Sequence, residues 1–288
     1  MKASIQTLLL FVDGLGLGPV DGEHNPLYSG ACPHLARLLR EEAVPIDAQL
    51  GVPGLPQSAT GQAALLTGVN APAVMGRHIE GLPGPRLKEL VREMNLFSTL
   101  VARGYRATFA NAYFTDDVDE VRARRHQSVT TVAALHGLGT VRDTAALLRQ
   151  EAVYHDLTRR TLRERGFAGP LVTPAEAGRH LAALAGEHDF TLFEYFQTDR
   201  AGHGGDTQVI RRVLGELDEF LGVLLPFPCE DGRLFILTSD HGNIEDSSTH
   251  GHTENPVPFV ALGAGAAELR RKVRSLTDIT PALLELYP

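Results

Sequence analysis

The stretch Thr7-Leu8-Leu9-Leu10-Phe11-Val12, closed by Asp13-Gly14, sets the fold. Its apolar run has no polar face, so it reads as a strand buried on both sides, as strands inside a parallel sheet are. Two later runs end alike: Leu192-Phe193-Glu194-Tyr195-Phe196-Gln197-Thr198-Asp199 and Leu234-Phe235-Ile236-Leu237-Thr238-Ser239-Asp240. Each delivers an aspartate just past the carboxyl end of a predicted strand. Thr108 to Ala110 and Val257 to Leu262 read as further strands. Between the strands lie helical patterns at Pro33 to Glu42, Leu87 to Arg103, Pro174 to Ala185 and Thr207 to Leu225. In the last of these, Val209, Ile210, Val213, Leu214, Leu217, Phe220, Leu221 and Leu224 form one apolar stripe. Strands alternating with helices predict an α/β fold, a mostly parallel sheet sandwiched by helices.

Residues 1–111 and 170–288 carry this pattern and are expected to form the catalytic core. Residues 112–169 differ: Arg122, Arg124 and Arg125 cluster first, and helical periodicity then runs from Thr144 to Arg165. This segment is expected to be a small, mostly helical inserted cap. Its arginines either clamp a substrate phosphate or carboxylate or coat a solvated helix face.

The chain has 288 residues, 43% of them hydrophobic and 22% charged, the balance of a globular protein. A net charge of -8 argues against a nucleic-acid surface, and the absence of Trp leaves little material for stacking bases. No apolar run approaches the length of a membrane span. Met1-Lys2 is read together with the first strand and not as a leader, because the apolar run is too short and ends directly in Asp13. Two cysteines, Cys32 and Cys229, make neither a disulfide framework nor a thiolate metal site, and a reducing cytoplasm is expected.

In an open parallel sheet the carboxyl ends of the strands face the ligand crevice, so Asp13, Asp199 and Asp240 are predicted to converge. A single aspartate there would be an ordinary turn former or helix cap. Histidines accompany them: His203 follows Asp199 by four residues, His241 follows Asp240 directly, and His252 lies eleven residues further on. Three carboxylates and three imidazoles suit two divalent ions of the Mn or Zn type. His24, His34, His78, His126, His136, His155, His180 and His188 are expected to be surface or core residues. Ser58, where a turn hands over to a helix, is the candidate nucleophile. Beside a metal cluster its hydroxyl needs no separate base. Thr60, two residues along, is the runner-up. Asn243, Glu245 and Asn255 are candidates for orienting the ligands.

Taken in order, Phe11-Val12-Asp13-Gly14, Ser58-Ala59-Thr60-Gly61, Thr198-Asp199-Arg200-Ala201-Gly202-His203, Asp240-His241-Gly242-Asn243 and His252-Thr253-Glu254-Asn255-Pro256-Val257-Pro258 resemble the alkaline phosphatase superfamily. The nearest likeness is to its cofactor-independent phosphoglycerate mutase and phosphopentomutase branch. The resemblance implies an alkaline phosphatase-like core and two divalent ions. One would be held by Asp13, Ser58, Asp240 and His241, the other by Asp199, His203 and His252. Ser58 would be transiently phosphorylated, and the partner would be a small phosphorylated substrate. Two departures count against a phosphoglycerate mutase proper. Gln62 stands where that branch has a histidine, and the insertion is far smaller than the mutases' second domain. The resemblance therefore points to hydrolysis of a phosphomonoester. Phosphomutase or phosphodiesterase chemistry on the same core, or a non-catalytic metal- or phosphate-binding protein, are the alternatives.

Overall fold

The computed structural model describes residues 5–288; Met1 and Lys2 lie outside the described residues. Six strands form one sheet: β1 (Gln6–Val12), β2 (Val44–Ile46), β3 (Ala107–Phe109), β4 (Phe190–Tyr195), β5 (Arg233–Thr238) and β6 (Val257–Gly263). Their order is β2-β6-β5-β1-β4-β3. β1 lies at the centre, parallel to β4 and to β5, and β3 runs parallel to β4. β6 pairs antiparallel with β5, and β2 pairs antiparallel with β6. The sheet is thus mostly parallel, with an antiparallel edge.

The continuous apolar run of β1 is explained by its two faces. Leu9 and Phe11 enter one buried cluster, while Leu8, Leu10 and Val12 enter another on the opposite side. Side chains alternate across a strand, so a strand covered by helices on both faces must be apolar at every position. The helix Thr207–Leu224 seals the second face with Ile210, Val213, Leu214, Leu217, Phe220, Leu221 and Leu224, all from the stripe read in the sequence. On the first face the helix Ser58–Thr67 packs against the helix Leu276–Leu284.

Two helical expectations are corrected. Leu87 to Arg103 is two helices, Pro85–Glu93 and Leu96–Ala102. Asn95 divides them, because its side chain accepts from the Ser98 amide and caps a new helix. Thr144 to Arg165 is helical only at Thr144–Leu148 and Arg160–Glu164. Between these, Asp156 gathers the amides of Thr158, Arg159 and Thr161, and Leu157 and Arg159 take positive φ, which ends helical pairing.

Residues 112–169 divide by packing. The helix Val129–Gly137 buries Val129, Val132, Ala133 and Ala134 in the first-face cluster. Val121 and Val141 join the same cluster, Val153 and Leu157 enter the second-face cluster, and Ala112, Ala146, Leu147, Ala152, Tyr154, Leu162 and Phe167 form a small cluster of their own.

Candidate metal centre

The register of the sheet brings the ends of β1, β4 and β5 level, since Phe11 stands opposite both Glu194 and Thr238. Asp13 leaves β1 and Asp240 leaves β5. Asp199 sits in the first turn of the helix Gln197–Gly204 that follows β4, and His203 lies one turn later on the same helix. Gly14 takes φ +71, and a Cβ there would come within 2.8 Å of the Asp199 side chain, so the loop after β1 lies directly against the next carboxylate. Gly202 is needed for the same reason, because a Cβ would run into the Asn243 side chain.

Asp13, Asp240 and His241 have ligand-type atoms within 4.8 Å of one another, and so do Asp199, His241 and His252. Nε2 of His241 is 3.2 Å from Asp13 Oδ1 and 3.7 Å from Asp240 Oδ2. On the outer side His203 Nε2 is 3.5 Å from Asp199 Oδ1 and 3.1 Å from His252 Nε2, which is itself 3.5 Å from Asp199 Oδ1. Ser58 opens its helix and places Oγ 3.0 Å from His241 Nε2. All seven residues singled out in the sequence therefore meet at one place.

Each histidine is oriented from behind. Nδ1 of His203 faces the carbonyl of His250 at 2.7 Å, Nδ1 of His252 faces that of Pro56 at 2.8 Å, and Nδ1 of His241 faces that of Gly242 at 3.3 Å. A carbonyl only accepts, so each Nδ1 is the donor and each Nε2 turns a lone pair toward the cluster. Two such lone pairs, of His203 and His252, confront each other. Asp13 Oδ1 and both oxygens of Asp240 are buried with no hydrogen-bond partner among the described residues. Buried carboxylate oxygens without donors are costly unless a cation meets them. Orphaned carboxylates and converging imidazole lone pairs are the donor chemistry of a divalent-ion site, and the residues fit one.

The charges respond accordingly. Burial, then the neighbouring charges of Asp13 and Asp199, push the Asp240 carboxyl well above the usual carboxylate range. Burial also opposes charge on His241, but the carboxylates of Asp13 and Asp199 outweigh it and raise the imidazole. At Asp199 burial pushes upward and is overcome by His252, His241 and His203, so that carboxyl is lowered.

Glu245 ties the loops together. Its Oε2 accepts from the amides of Gly16 at 2.9 Å and Asn243 at 2.7 Å, and its Oε1 from Thr253 Oγ1 at 2.5 Å and Asn255 Nδ2 at 3.1 Å. Asn243 Nδ2 donates to Asp199 Oδ1 at 2.8 Å. Two further residues were not singled out in the sequence. Thr198 Oγ1 donates to the Asp13 carbonyl at 2.6 Å, and Ser239 Oγ accepts from the Leu15 amide at 2.9 Å. Their only signal is that each directly precedes one of the aspartates.

Around Ser58 the backbone is less open than a bare helix start. Both the Ala59 and Thr60 amides donate to the Ile79 carbonyl, at 3.1 and 3.4 Å. Thr60 is fully enclosed, and its hydroxyl accepts from the Ile79 amide, which removes it as a competing nucleophile. Gln62 is buried one turn beyond Ser58. Of the three clustered arginines, Arg122 is held at the surface by Asp119 and the Gly139 carbonyl, and the Arg125 carbonyl accepts from Lys88. Arg124 lies over the Tyr113 ring. His24, His34, His78 and His188 have partners elsewhere, at Asp21, Asp218, Val52 and Leu184.

Known proteins resemble this chain in part of its sequence and in its fold. A family model described as the Metalloenzyme superfamily matches residues 171–287. The 2,3-bisphosphoglycerate-independent phosphoglycerate mutase of Cereibacter sphaeroides is 35% identical over 125 residues, which are 41% of this chain and 24% of that one. Its Halobacterium salinarum counterpart is 37% identical over 121 residues, 39% and 24% of the two chains. The matched part thus spans about a quarter of the length of these curated relatives. Among solved structures, the alkaline phosphatase of the Antarctic bacterium TAB5 superposes with a TM-score of 0.60 at 13% identity, covering 99% of this chain and 98% of its own. The Thermus thermophilus alkaline phosphatase gives 0.62 at 11%, covering 99% and 92%. The resemblance read from the motifs, to the alkaline phosphatase superfamily near its phosphoglycerate mutase branch, is borne out, as is the α/β fold.

Proposed function

Since the chain has the fold of the alkaline phosphatases and part of it is similar in sequence to phosphoglycerate mutases, we propose that it is a metal-dependent phosphoryl-transfer enzyme working through a phosphoserine at Ser58. The reaction is hydrolysis of a small phosphomonoester. The observation that carries this reading is Ser58 Oγ at 3.0 Å from His241 Nε2, at the edge of a cluster whose buried carboxylate oxygens have no donors.

Two divalent ions, Mn or Zn, suit the donor set. Asp13, Ser58, Asp240 and His241 would hold one, and Asp199, His203 and His252 the other. When bound, such ions supply positive charge that eases loss of the serine proton and offsets charge on the transferring phosphoryl group. The protein's own contribution is positional. Carbonyls behind the three histidines fix their rings, Glu245 fixes the loops, and the helix start holds Ser58 beside His241. Water then releases phosphate. Residues 112–169 act as the cap over this site. Two free thiols, Cys32 and Cys229, support a reducing, cytoplasmic setting. Among the described residues no helix is long and apolar enough to cross a membrane. A second reading, return of the phosphoryl group to the substrate as in a mutase, is favoured by the 35% identity to the phosphoglycerate mutases.

The test is phosphate release from an aryl phosphomonoester and an aryl phosphodiester by metal-stripped protein reloaded with Mn or Zn. Release from the monoester that depends on the metal and is lost in Ser58→Ala is the expected result. Undiminished release by Ser58→Ala overturns the nucleophile assignment. Absence of release from either ester with either metal turns the reading toward the mutase, whose substrate must carry a second oxygen to take the phosphoryl group back.

A further inference from the structure

A cavity of about 370 Å³ opens at the carboxyl ends of β3 and β4. None of the seven cluster residues lines it, but it shares their elements: Phe196 precedes the helix that carries Asp199 and His203, Arg200 follows Asp199 directly, and Glu194 on its wall is close enough to Asp13 for that charge to raise its carboxyl. This volume lies at the small end of the range for ligand pockets, enough for one ring system with a short substituent.

Its walls are unusual for this chain. The protein has twelve phenylalanines, six tyrosines and no tryptophan, yet Phe109, Tyr113, Phe114, Tyr154 and Phe196 all line this one cavity. His155 lies between Tyr154 and Phe196, with ring centroids 4.1 and 4.5 Å away. Burial pushes the His155 imidazole down to about 4, so near neutrality it is an uncharged ring in this stack. Three guanidiniums complete the surface: Arg200 over Phe196 at 4.8 Å, Arg165 over Phe114 at 5.6 Å, and Arg124 over Tyr113 at 5.9 Å. None of the three forms an ion pair with the described residues. An anion clamp needs guanidinium edges alone. Rings and guanidinium planes gathered around one small space are instead the surface on which flat π-systems stack.

We propose that this cavity receives the leaving group of the phosphoester and selects a planar aromatic or heteroaromatic ring, stacked among Tyr113, Phe114, Phe196 and the arginines laid over them. The inference rests on the phosphoryl-transfer reading for the identity of the reacting group, but it is tested without turnover.

The probes are three non-hydrolysable phosphonates, with binding to metal-loaded and metal-stripped protein measured by calorimetry. Benzylphosphonate carries a flat ring, cyclohexylmethylphosphonate a saturated ring of similar bulk, and 3-phosphonopropionate a second anion and no ring. Benzylphosphonate is expected to bind about tenfold more tightly than the cyclohexylmethyl compound, the scale of one ring stacked on an aromatic wall. Phe114→Leu and Arg165→Met, each checked for native circular dichroism, are expected to reduce that ratio toward one. Equal affinities for the two ring compounds overturn the proposal, and so does tightest binding of 3-phosphonopropionate or no binding of any probe in either metal state. Failure of the Ser58→Ala test with the benzyl preference intact would remove the phosphoserine and leave the ring pocket standing.

Discussion

The two halves of the ligand cluster are built from the same residue types and behave oppositely. Asp240 and His241 are wholly buried, with Asp13 beside them, whereas the His203 side chain remains 47% exposed next to Asp199. Asp240 has no hydrogen-bond donor and its carboxyl is driven upward, first by burial. Asp199 is also partly buried, but His252, His241, His203 and Asn243 bring it down. What differs is the supply of partners from within the chain. The outer half has the Asn243 amide as a donor to Asp199 and one imidazole open to solvent, while both oxygens of Asp240 in the inner half have no donor and await a cation.

The largest test of that contrast is to remove one ligand from each half. Asp240→Asn is expected to cost phosphoryl transfer on the order of 10⁴-fold, the scale of losing one member of a catalytic unit. It should also abolish the rise in melting temperature that Mn or Zn gives the parent protein. His203→Ala should lose less activity and recover it at high metal concentration, because water can replace an exposed ligand. Equal, unrescued losses in both variants would erase the distinction between the halves.

Glu194 sharpens the comparison, because it is a buried carboxyl outside both halves. Burial, eased by the Thr130 hydroxyl at 2.6 Å and reinforced by the Asp13 charge, raises it to about 8. Between its unfolded value near 4.5 and about 8, the folded state holds a proton that the unfolded state releases. Stability from this group is therefore complete below about pH 4.5 and declines as pH rises toward 8. The displacement corresponds to an effect on the order of 5 kcal/mol. In metal-stripped protein, urea unfolding should show a clear loss of stability from pH 5 to pH 9, to which the raised Asp240 carboxyl also contributes and which Glu194→Gln should reduce. Loading the metals should shrink the slope in the parent protein, since a cation beside Asp13 cancels part of the repulsion. An unchanged slope in Glu194→Gln would assign the pH dependence to other groups.

What the sequence made legible follows the same division. Asp13 and Asp240 were readable because β1 and β5 are continuous apolar runs that stop at them, and sheet topology then brings distant strand ends together. The helix Pro33–Glu42 has the bounds the pattern predicts, since a proline opens it and the apolar spacing is regular. Elements that depend on one side chain acting locally against a pattern were misread. Asn95 divides a helix whose periodicity continues through it, and Asp156 gathers a loop where helical spacing continues. β2 escaped notice because three residues, one of them Pro45, carry no strand signal until β6 pairs with them. The ring-lined cavity was illegible for a different reason. Arg124, Arg165 and Arg200 stand far apart in the chain, and only Arg124 belonged to the run that drew attention. No short-range pattern records that Phe196 and Phe114 each lie beneath one of them.

Glu245 gives the smallest expected effect and the finest division of the comparison, because its four hydrogen bonds reach the loops of both halves. The amides of Gly16 and Asn243 depend on its Oε2, and Thr253 and Asn255, beside His252, depend on its Oε1. Glu245→Ala strands two buried amides and should lower stability by about 3 kcal/mol, read from the urea midpoint. Since it moves ligands without removing any, metal affinity should fall by roughly 10- to 100-fold, the range for groups that orient ligands from behind. Glu245→Gln keeps an acceptor for only part of this network and should fall between the parent and the alanine variant. If the two halves are separate binding sites, both affinities should weaken together in Glu245→Ala, whereas His203→Ala weakens one. Loss of a single affinity in Glu245→Ala would show that the carboxylate serves one loop and that its bonds to the other are incidental.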